Sequence, residues 1–319
     1  VKSALTDSEM PTILADGDFS GNVDATITQT ITLGDDPEVI FGEMPTSSDD
    51  AELGMQLDTN SDKVVYNASI TFNKAVNLTH ADSEGEDITM FGQRFTIAAA
   101  TSATSLVLLK EAEKLSLDSE ANPSQEVTVG GETFTVELVS ASDSAATIKV
   151  TDSSGASDSR EVDEAASKKI QGLTVAVQTA DETNLKLSST VIAGAEKVTF
   201  ANGNAVTIGE DDSVIDGTKV ILTGGVGAAT KMTIQIAAPN SDEDAIKPGN
   251  TFTDPVFGSF KIDFAGLNIP EDSSAREDII VQNNGDDKME LTMTDSSGNT
   301  KTIQWMINDT NNGIVYMQP

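Results

Sequence analysis

Asp24-Ala-Thr-Ile-Thr-Gln-Thr-Ile-Thr-Leu33 is the stretch that decides the fold, because threonine alternates with apolar residues along most of its length. Successive side chains of a β-strand point to opposite faces, so this period of two predicts a strand with one buried face and one solvated face. The β-branched residues Thr and Ile also favour extended backbone. A long half-buried strand is therefore predicted here.

The same alternation recurs along the whole chain, and turn signals separate the runs. Asn-Gly and Asp-Gly pairs such as Asn202-Gly203 and Asp216-Gly217 favour the positive φ angles of tight hairpins. The predicted fold class is all-β, with tandem or nested antiparallel β-sandwich (Ig-like) domains. Helical character is weak and is predicted only as one or two turns over Asp163 to Ile170. Other predicted strands include 64–72, 133–138, 146–150, 173–178, 231–236, 278–282, 288–294 and 301–305.

Two kinds of internal repeat indicate repeated hairpins. Phe91-Gly-Gln-Arg-Phe-Thr-Ile97 matches Gly130-Gly-Glu-Thr-Phe-Thr-Val136, and each is followed by a small polar loop and another apolar run. Thr-Asp-Ser-Ser-Gly occurs at 151–155 and again at 294–298. Each copy follows an alternating run, so we expect hairpin turns in which Asp and Ser side chains bond the backbone.

Changes in composition indicate the domain boundaries. An acidic, serine-rich stretch at 81–86 and the run Ala238-Pro-Asn-Ser-Asp-Glu-Asp244 read as linkers. The predicted division is an N-terminal β domain at 1–87, a middle β-sandwich domain with the internal repeat at 88–240, and a C-terminal β segment at 241–319. The last segment is also a candidate to complete the N-terminal domain around an inserted middle domain.

The charge balance excludes several classes of partner. With 52 acidic against 19 basic residues, the formal net charge is −33, which repels nucleic-acid phosphates and anionic lipids and attracts cations. No run approaches the roughly 20 apolar residues of a membrane helix, so no direct membrane span is expected. The chain begins at Val1, which is consistent with a removed signal peptide, and an extracellular cell-surface location is predicted.

Several kinds of catalysis lack their residues in this sequence. There is no Cys and one His, His80, so thiol nucleophiles, thiolate metal sites and histidine clusters cannot form. No phosphate-binding loop, dinucleotide fingerprint or Gly-x-Ser-x-Gly elbow occurs. The protein is therefore predicted not to be an enzyme and to require no cofactor.

Calcium is the one ion that the acidic loops favour, because hard cations take clustered oxygen ligands. Asp58, Asn60 and Asp62 place oxygen side chains at alternate positions, without the glycine and distal Glu of an EF-hand. Further candidate ligands are Asp16, Asp18 and Asp24, and then Asp211 and Asp216. The alternative for each group is a solvated acidic loop.

Three Asn-x-Ser/Thr sequons are candidate sites of N-linked glycans, at Asn67, Asn77 and Asn308. Such sites matter only in an extracellular chain. Asn67 lies inside a predicted strand, so a glycan there requires the outward face of the sheet.

Three runs resemble archaeal surface-layer (S-layer) proteins, particularly those of small-genome archaea. They are Met90-Phe-Gly-Gln-Arg-Phe-Thr-Ile97, Val127-Thr-Val-Gly-Gly-Glu-Thr-Phe-Thr-Val-Glu-Leu138, and Asp254-Pro-Val-Phe-Gly-Ser-Phe-Lys-Ile-Asp-Phe-Ala-Gly-Leu-Asn268. The third run is the most specific. The resemblance implies β-sandwich domains, secretion, N-glycosylation and lateral self-assembly.

The functional expectation is therefore an extracellular structural protein that assembles with copies of itself into a cell-surface layer or filament. The alternative is a calcium-dependent surface adhesin or glycan-binding module, which the same fold and acidity would serve. The first predicts ordered polymers of the pure protein, whereas the second predicts a monomer that binds a surface.

Overall fold

The computed structural model describes residues 3–34, 38–43, 52–57, 64–129, 131–240, 243–269, 273, 275, 277–295, 297–309 and 314–317. Nearly all of them lie in antiparallel strands or the turns between strands. Two short 3-10 helices, Ala81–Ser83 and Val226–Ala228, are the helical elements of this described part. The prediction of an all-β sandwich-type fold is confirmed, while the Ig-like topology stays a prediction.

The strands are numbered in chain order. They are β1 (Ala4–Leu5), β2 (Gly17–Ser20), β3 (Asp24–Leu33), β4 (Val39–Glu43), β5 (Glu52–Gln56), β6 (Tyr66–Val76), β7 (Asp87–Met90), β8 (Gln93–Ile97), β9 (Ser105–Lys110), β10 (Glu113–Asp118), β11 (Ser124–Val129), β12 (Glu132–Ala141), β13 (Ala145–Thr151), β14 (Ser157–Asp163), β15 (Ala166–Ile170), β16 (Leu173–Thr183), β17 (Lys186–Ala193), β18 (Glu196–Ala201), β19 (Thr207–Ile208), β20 (Ser213–Val214), β21 (Thr218–Thr223), β22 (Ala229–Ile236), β23 (Ala245–Ile246), β24 (Thr251–Thr253), β25 (Lys261–Asp263), β26 (Asp278–Asn283), β27 (Lys288–Thr294), β28 (Thr300–Asp309) and β29 (Ile314–Met317).

The chain divides into two compact units, unit 1 (Val1–Asp263) and unit 2 (Phe264–Pro319). The boundaries predicted near 87 and 240 both fall inside unit 1, and as domain boundaries they stay predictions. Unit 1 contains four main sheets, together with a three-stranded sheet of β4, β5 and β23 and the pair β24–β25. Unit 2 contains one sheet, β26–β27–β28–β29, which we call sheet V.

The first sandwich of unit 1 packs sheet I on sheet II. Sheet I has the order β1–β3–β6–β22–β21, with β2 also on β3, and sheet II has the order β20–β19–β18–β9–β8–β7. Their shared core includes the fully buried Ile27, Ile70, Ile234, Phe95, Leu108 and Phe200. Each such side chain contributes about 1.5–3 kcal/mol when it leaves water, so this face holds the two sheets together.

The second sandwich packs sheet III (β10–β17–β16–β15) on sheet IV (β11–β12–β13–β14). Its separate core includes Val136, Ile148 and Val162 of sheet IV and Val175, Val177 and Val191 of sheet III. Strand β9 leads into β10, and β17 leads into β18, with Lys110 opposite Glu196 and Glu113 opposite Ala193. The second sandwich is therefore inserted into the first between β9 and β18.

A third, smaller cluster lies between sheets II and III. Leu106 and Leu108 of β9 face the first core, whereas Val107 and Leu109 pack with Ala176 and Ile192 in this cluster. Strand β9 is thus buried on both faces, which explains its uninterrupted apolar run. The shared cores give the layer order I, II, III, IV, which leaves the outer faces of sheets I and IV to solvent.

A closing segment, 251–263, completes the first core. The Tyr66 hydroxyl donates to Asp254 Oδ1 at 2.7 Å, while the Phe257 and Gly258 amides donate to Oδ2 at 2.8 and 3.1 Å. Phe257 enters the core and contacts Phe91 with ring centroids 4.6 Å apart. The most specific run of the surface-layer resemblance therefore begins with the residues that close this sandwich.

Both predicted repeats are hairpins. Phe91 and Gly92, with φ of 49° and 75°, join β7 to β8, and the copy at 130–136 joins β11 to β12 with Phe134 buried like Phe95.

The predicted helical turns over Asp163 to Ile170 are wrong. Ile170 pairs with Leu173 across a hairpin, because β15 adds an edge strand to sheet III and buries Ile170 in the second core.

Candidate assembly surface

The predicted calcium ligands that the structure describes lie on exposed surface. Asp58, Asn60 and Asp62 lie outside the described residues. Asp18 and Asp24 are exposed on the β2–β3 hairpin, where Asp18 lies opposite Thr26 and Asp24 opposite Ser20, and Asp16 precedes that hairpin. In the described part of the chain, no three His, Cys, Asp or Glu side chains form a group able to hold a metal ion.

The second acidic loop makes local bonds. Asp211 accepts from the Ser213 hydroxyl at 2.9 Å, and the neighbouring Asp212 pairs with Lys197 Nζ at 2.9 Å. Asp216 is exposed in the turn before β21. Calcium binding, and with it the calcium-dependent adhesin, therefore stays a prediction.

The sequons differ in their local geometry. Asn77 follows β6, and its Oδ1 accepts from the backbone amide and the hydroxyl of Thr79 at 3.0 and 2.8 Å, so the whole sequon is closed in one turn. Asn67 lies within β6, opposite Thr32 on one side and Gln235 on the other. The backbone of Asn308 pairs with Val315 in sheet V. Glycan occupancy stays a prediction at all three.

His80 is half-exposed and caps the first 3-10 helix, with its Nδ1 accepting from the Asp82 amide at 3.2 Å. A cleft of about 370 Å³ lies where sheets II, III and IV meet, and its lining includes Glu132, Glu196 and Glu210. These acids are the kind of residue that the net charge of −33 makes abundant, and they do not meet in a metal-binding group.

A polar network joins sheets II and III beside the β9–β10 junction. Asp87 pairs with Arg94 and accepts from Gln178 Nε2 at 2.9 Å, while Arg94 Nε lies 3.4 Å from Glu111 Oε2. Burial raises the pKa of Glu111, and the nearby Arg94 opposes that rise. Because every member contacts another member, the network reads as structural support for the inserted sandwich.

Sheet V carries the feature that stands out from the rest of the molecule. Its register places Ile279 opposite Met293, and Val281 opposite Leu291, which in turn lies opposite Ile303. Alternation therefore brings Ile279, Val281, Met289, Leu291, Met293 and Ile303 to one face, which we call the apolar face. Lys301, opposite Met293, and Asn283, opposite Met289, lie at its rim. The other face carries Gln282, Glu290, Thr292 and Thr302, together with the apolar Ile280 and Ile307.

This apolar face is open to solvent. The exposed fractions are 67% for Ile279, 50% for Val281, 40% for Met293 and 38% for Ile303. Of the residues of unit 2 whose side chains the structure describes, none is fully buried. The alternation of Met289, Leu291 and Met293 is visible in the sequence, but the missing second layer is not.

The comparisons with known proteins add no family. No protein-family model matches the chain, and no curated protein matches it significantly. Within the described residues, no helix is long and apolar enough to span a lipid bilayer.

Proposed function

We propose that this protein is an extracellular structural protein that assembles with copies of itself into a cell-surface layer or filament. The observation that carries the proposal is the uncovered apolar face of sheet V. A sheet with one apolar face gains stability when a second layer covers that face. The apolar face of a second copy offers such a layer.

The geometry favours a contact between identical faces. A two-fold axis brings the same patch of both copies together, so an apolar patch meets an apolar patch and no carboxylate is buried. Three strands at about 4.8 Å spacing and six residues at about 3.4 Å give a face of roughly 300 Å². A standard interface buries about 800 Å² per partner, so this contact alone is weak and needs support elsewhere on the molecule.

Two features of the sequence agree with this proposal. The resemblance of 254–268 to surface-layer proteins implies secretion and lateral assembly. The absence of Cys and the three sequons are compatible with a secreted, glycosylated chain. The proposal therefore places the chain outside the cell and makes copies of itself its partners.

The test is a matched pair of variants on strand β26. Ile279→Thr with Val281→Thr removes two apolar side chains from the apolar face and keeps β-branching, whereas Ile280→Thr changes the opposite face of the same strand. Each lost side chain weakens the contact by about 1–2 kcal/mol, and a two-fold contact counts each change twice. Self-association should therefore weaken by at least about 100-fold in the double variant.

Analytical ultracentrifugation over a concentration series, with negative-stain electron microscopy of the concentrated protein, measures the outcome. The proposal requires the wild type to form ordered polymers and Ile280→Thr to resemble it. A wild type that stays monomeric at every concentration overturns the proposal.

A further inference from the structure

A two-fold contact through sheet V makes a closed pair, so a layer or filament needs a second and different contact. The two outer faces of unit 1 are candidates, because they belong to the first and last sheets of its layer order. They are built from the same alternation, yet they carry opposite charge.

The outer face of sheet I contains no carboxylate over three successive rows of paired residues, in a chain that has 52 acidic residues. We call these twelve positions the polar face. They are Thr28, Thr30 and Thr32 of β3, Asn67, Ser69 and Thr71 of β6, Lys231, Thr233 and Gln235 of β22, and Lys219, Ile221 and Thr223 of β21. Its charges are the two lysines, and Asp18 and Asp24 lie beyond it on the β2–β3 hairpin.

The polar face is internally bonded. Thr30, Ser69, Thr233 and Ile221 form its middle row across four strands, and Ser69 Oγ lies 2.9 Å from Thr233 Oγ1. Ser69 is only 3% exposed, while Ile221 at the sheet edge is 39% exposed. Such a surface offers hydroxyl and amide groups held in register, with positive charge on β21 and β22.

The outer face of sheet IV is the acidic counterpart. Its register brings together Glu126 and Thr128 of β11, Thr133, Thr135 and Glu137 of β12, Thr147, Lys149 and Thr151 of β13, and Ser157, Ser159, Glu161 and Asp163 of β14. We call these positions the acidic face. Lys149 is paired with Glu137 at 3.0 Å, which leaves Glu126, Glu161 and Asp163 as the carboxylates that face solvent.

We propose that the polar face of one copy docks on the acidic face of the next, head to tail. This inference rests on the proposed function and names the second contact that the function needs. Copies with a net charge of −33 repel one another, so self-contact favours the surface from which carboxylates are missing. Lys219 and Lys231 then meet the carboxylates of the acidic face, and charge complementarity sets the orientation.

The head-to-tail geometry has a direct consequence for assembly. The two faces are different surfaces, so a docked pair keeps one free face of each kind, and further copies can add at both ends. The two-fold contact of sheet V then links such polymers to one another.

Charge reversal on each face tests the docking. In Lys219→Glu with Lys231→Glu, both outer faces of unit 1 are acidic, whereas in Glu126→Lys with Glu161→Lys both are basic. Each double variant alone should lose the head-to-tail contact and raise the critical concentration for polymer formation by about 10- to 100-fold. An equimolar mixture should restore polymers, because the acidified sheet I of one variant now fits the basic sheet IV of the other.

The control is Glu84→Lys with Glu86→Lys, two exposed acids in the loop after the first 3-10 helix. It makes the net charge less negative by the same amount as Glu126→Lys with Glu161→Lys. General charge repulsion therefore predicts that both double variants assemble as well as the wild type or better. Only face-specific docking predicts that Glu126→Lys with Glu161→Lys loses assembly while the control keeps it. Recovery in the mixture also shows that both variants are folded.

The possible results separate the two proposals. If the wild type forms polymers and either double variant does so at the same concentration, or the mixture fails to recover, head-to-tail docking is wrong while self-assembly stands. If the wild type forms no polymers, both proposals are wrong.

Asn67 gives a further check, because it lies on the polar face. Mass spectrometry of glycopeptides from native assemblies should find Asn67 unmodified, and a glycan there contradicts the docking.

Discussion

Sheets I and V are made from the same kind of strand, and they differ in what lies against their apolar faces. In sheet I, Ile27, Ile70 and Ile234 are fully buried by sheet II of the same chain. In sheet V, Ile279, Val281 and Met293 remain at least 40% exposed. Within the described residues, sheet II covers the apolar face of sheet I, while these side chains of sheet V stay exposed. Where a chain exposes such a face, a partner is the natural place to look for the missing layer.

The largest expected effect that tests this contrast comes from two truncations, one in the buried core of unit 1 and one on the open face of sheet V. Phe95→Ala, in the fully buried core of unit 1, should lower the free energy of unfolding by about 3–5 kcal/mol. Ile303→Ala, on the open apolar face, should cost about 1–2 kcal/mol in dilute, unassembled protein because its side chain is already 38% exposed.

Urea unfolding separates the two readouts. Circular dichroism follows mainly the many strands of unit 1, and fluorescence of the single tryptophan, Trp305 in β28, follows unit 2. If the two variants lost similar amounts of unfolding free energy in dilute protein, the apolar face would be covered within one chain. Sheets I and V would then not differ in this respect.

A smaller effect is expected where the closing segment holds sheet I. Tyr66→Phe removes the hydrogen bond to Asp254 Oδ1 and leaves a buried carboxylate oxygen short of a donor, at a cost of about 1–3 kcal/mol. Burial raises the pKa of Asp254, and the bonds from Tyr66, Phe257 and Gly258 offset only part of that rise. Burial and the adjacent carboxylate likewise raise the pKa of Tyr66.

The raised pKa gives this site a defined pH dependence. The folded state prefers protonated Asp254, so its contribution is complete below the unfolded pKa of about 3.9 and is lost as pH rises through the higher folded pKa. Asp254→Asn does not titrate. The melting temperature of the wild type minus that of Asp254→Asn should therefore be larger at pH 4 than at pH 7.5. The opposite trend would mean that the hydrogen bonds outweigh burial.

The alternation of Asp24 to Leu33 was enough to predict β3 with its observed bounds. Prediction failed where burial is two-sided. In β17, Val191, Ile192 and Ala193 are all fully buried, because the strand lies between the second core and the third cluster and so shows no alternation at its end. It failed also at β15, whose strand conformation depends on pairing with β16 rather than on local propensity.

The candidate surfaces show the same limit. Alternating Met289, Leu291 and Met293 can be read from the sequence as one face of a strand. Whether a second sheet covers that face depends on contacts between distant parts of the chain. Likewise Thr30, Ser69 and Thr233 are widely separated in sequence, and only the register of β3, β6 and β22 makes them one row. The predicted calcium ligands were chosen by local spacing, which does not determine whether side chains converge.

The smallest expected effect compares the two Thr-Asp-Ser-Ser-Gly turns, one in each unit. As predicted, both aspartates bond the backbone of their turns: Asp152 Oδ1 accepts from the Ser154 and Ala156 amides, and Asp295 Oδ1 from the Ser297 and Asn299 amides. Bonds from the Ser154 hydroxyl and Gln171 are the main causes that lower the pKa of Asp152 to about 2. Bonds from Asn299 lower the pKa of Asp295 in the same direction.

A lowered pKa means that each charged aspartate stabilises its unit at pH values above the unfolded pKa of about 3.9. That contribution is lost as the pH falls through the lower folded pKa. Asp152→Asn keeps an acceptor oxygen but cannot titrate, so unit 1 should lose less stability between about pH 4 and pH 2 than in the wild type. Asp295→Asn should leave the acid response of unit 1 unchanged and alter only the Trp305 signal. Acid titrations followed by circular dichroism and by fluorescence make the comparison. Superimposable curves for wild type and Asp152→Asn would show that the stability of this turn does not depend on the charge of its aspartate.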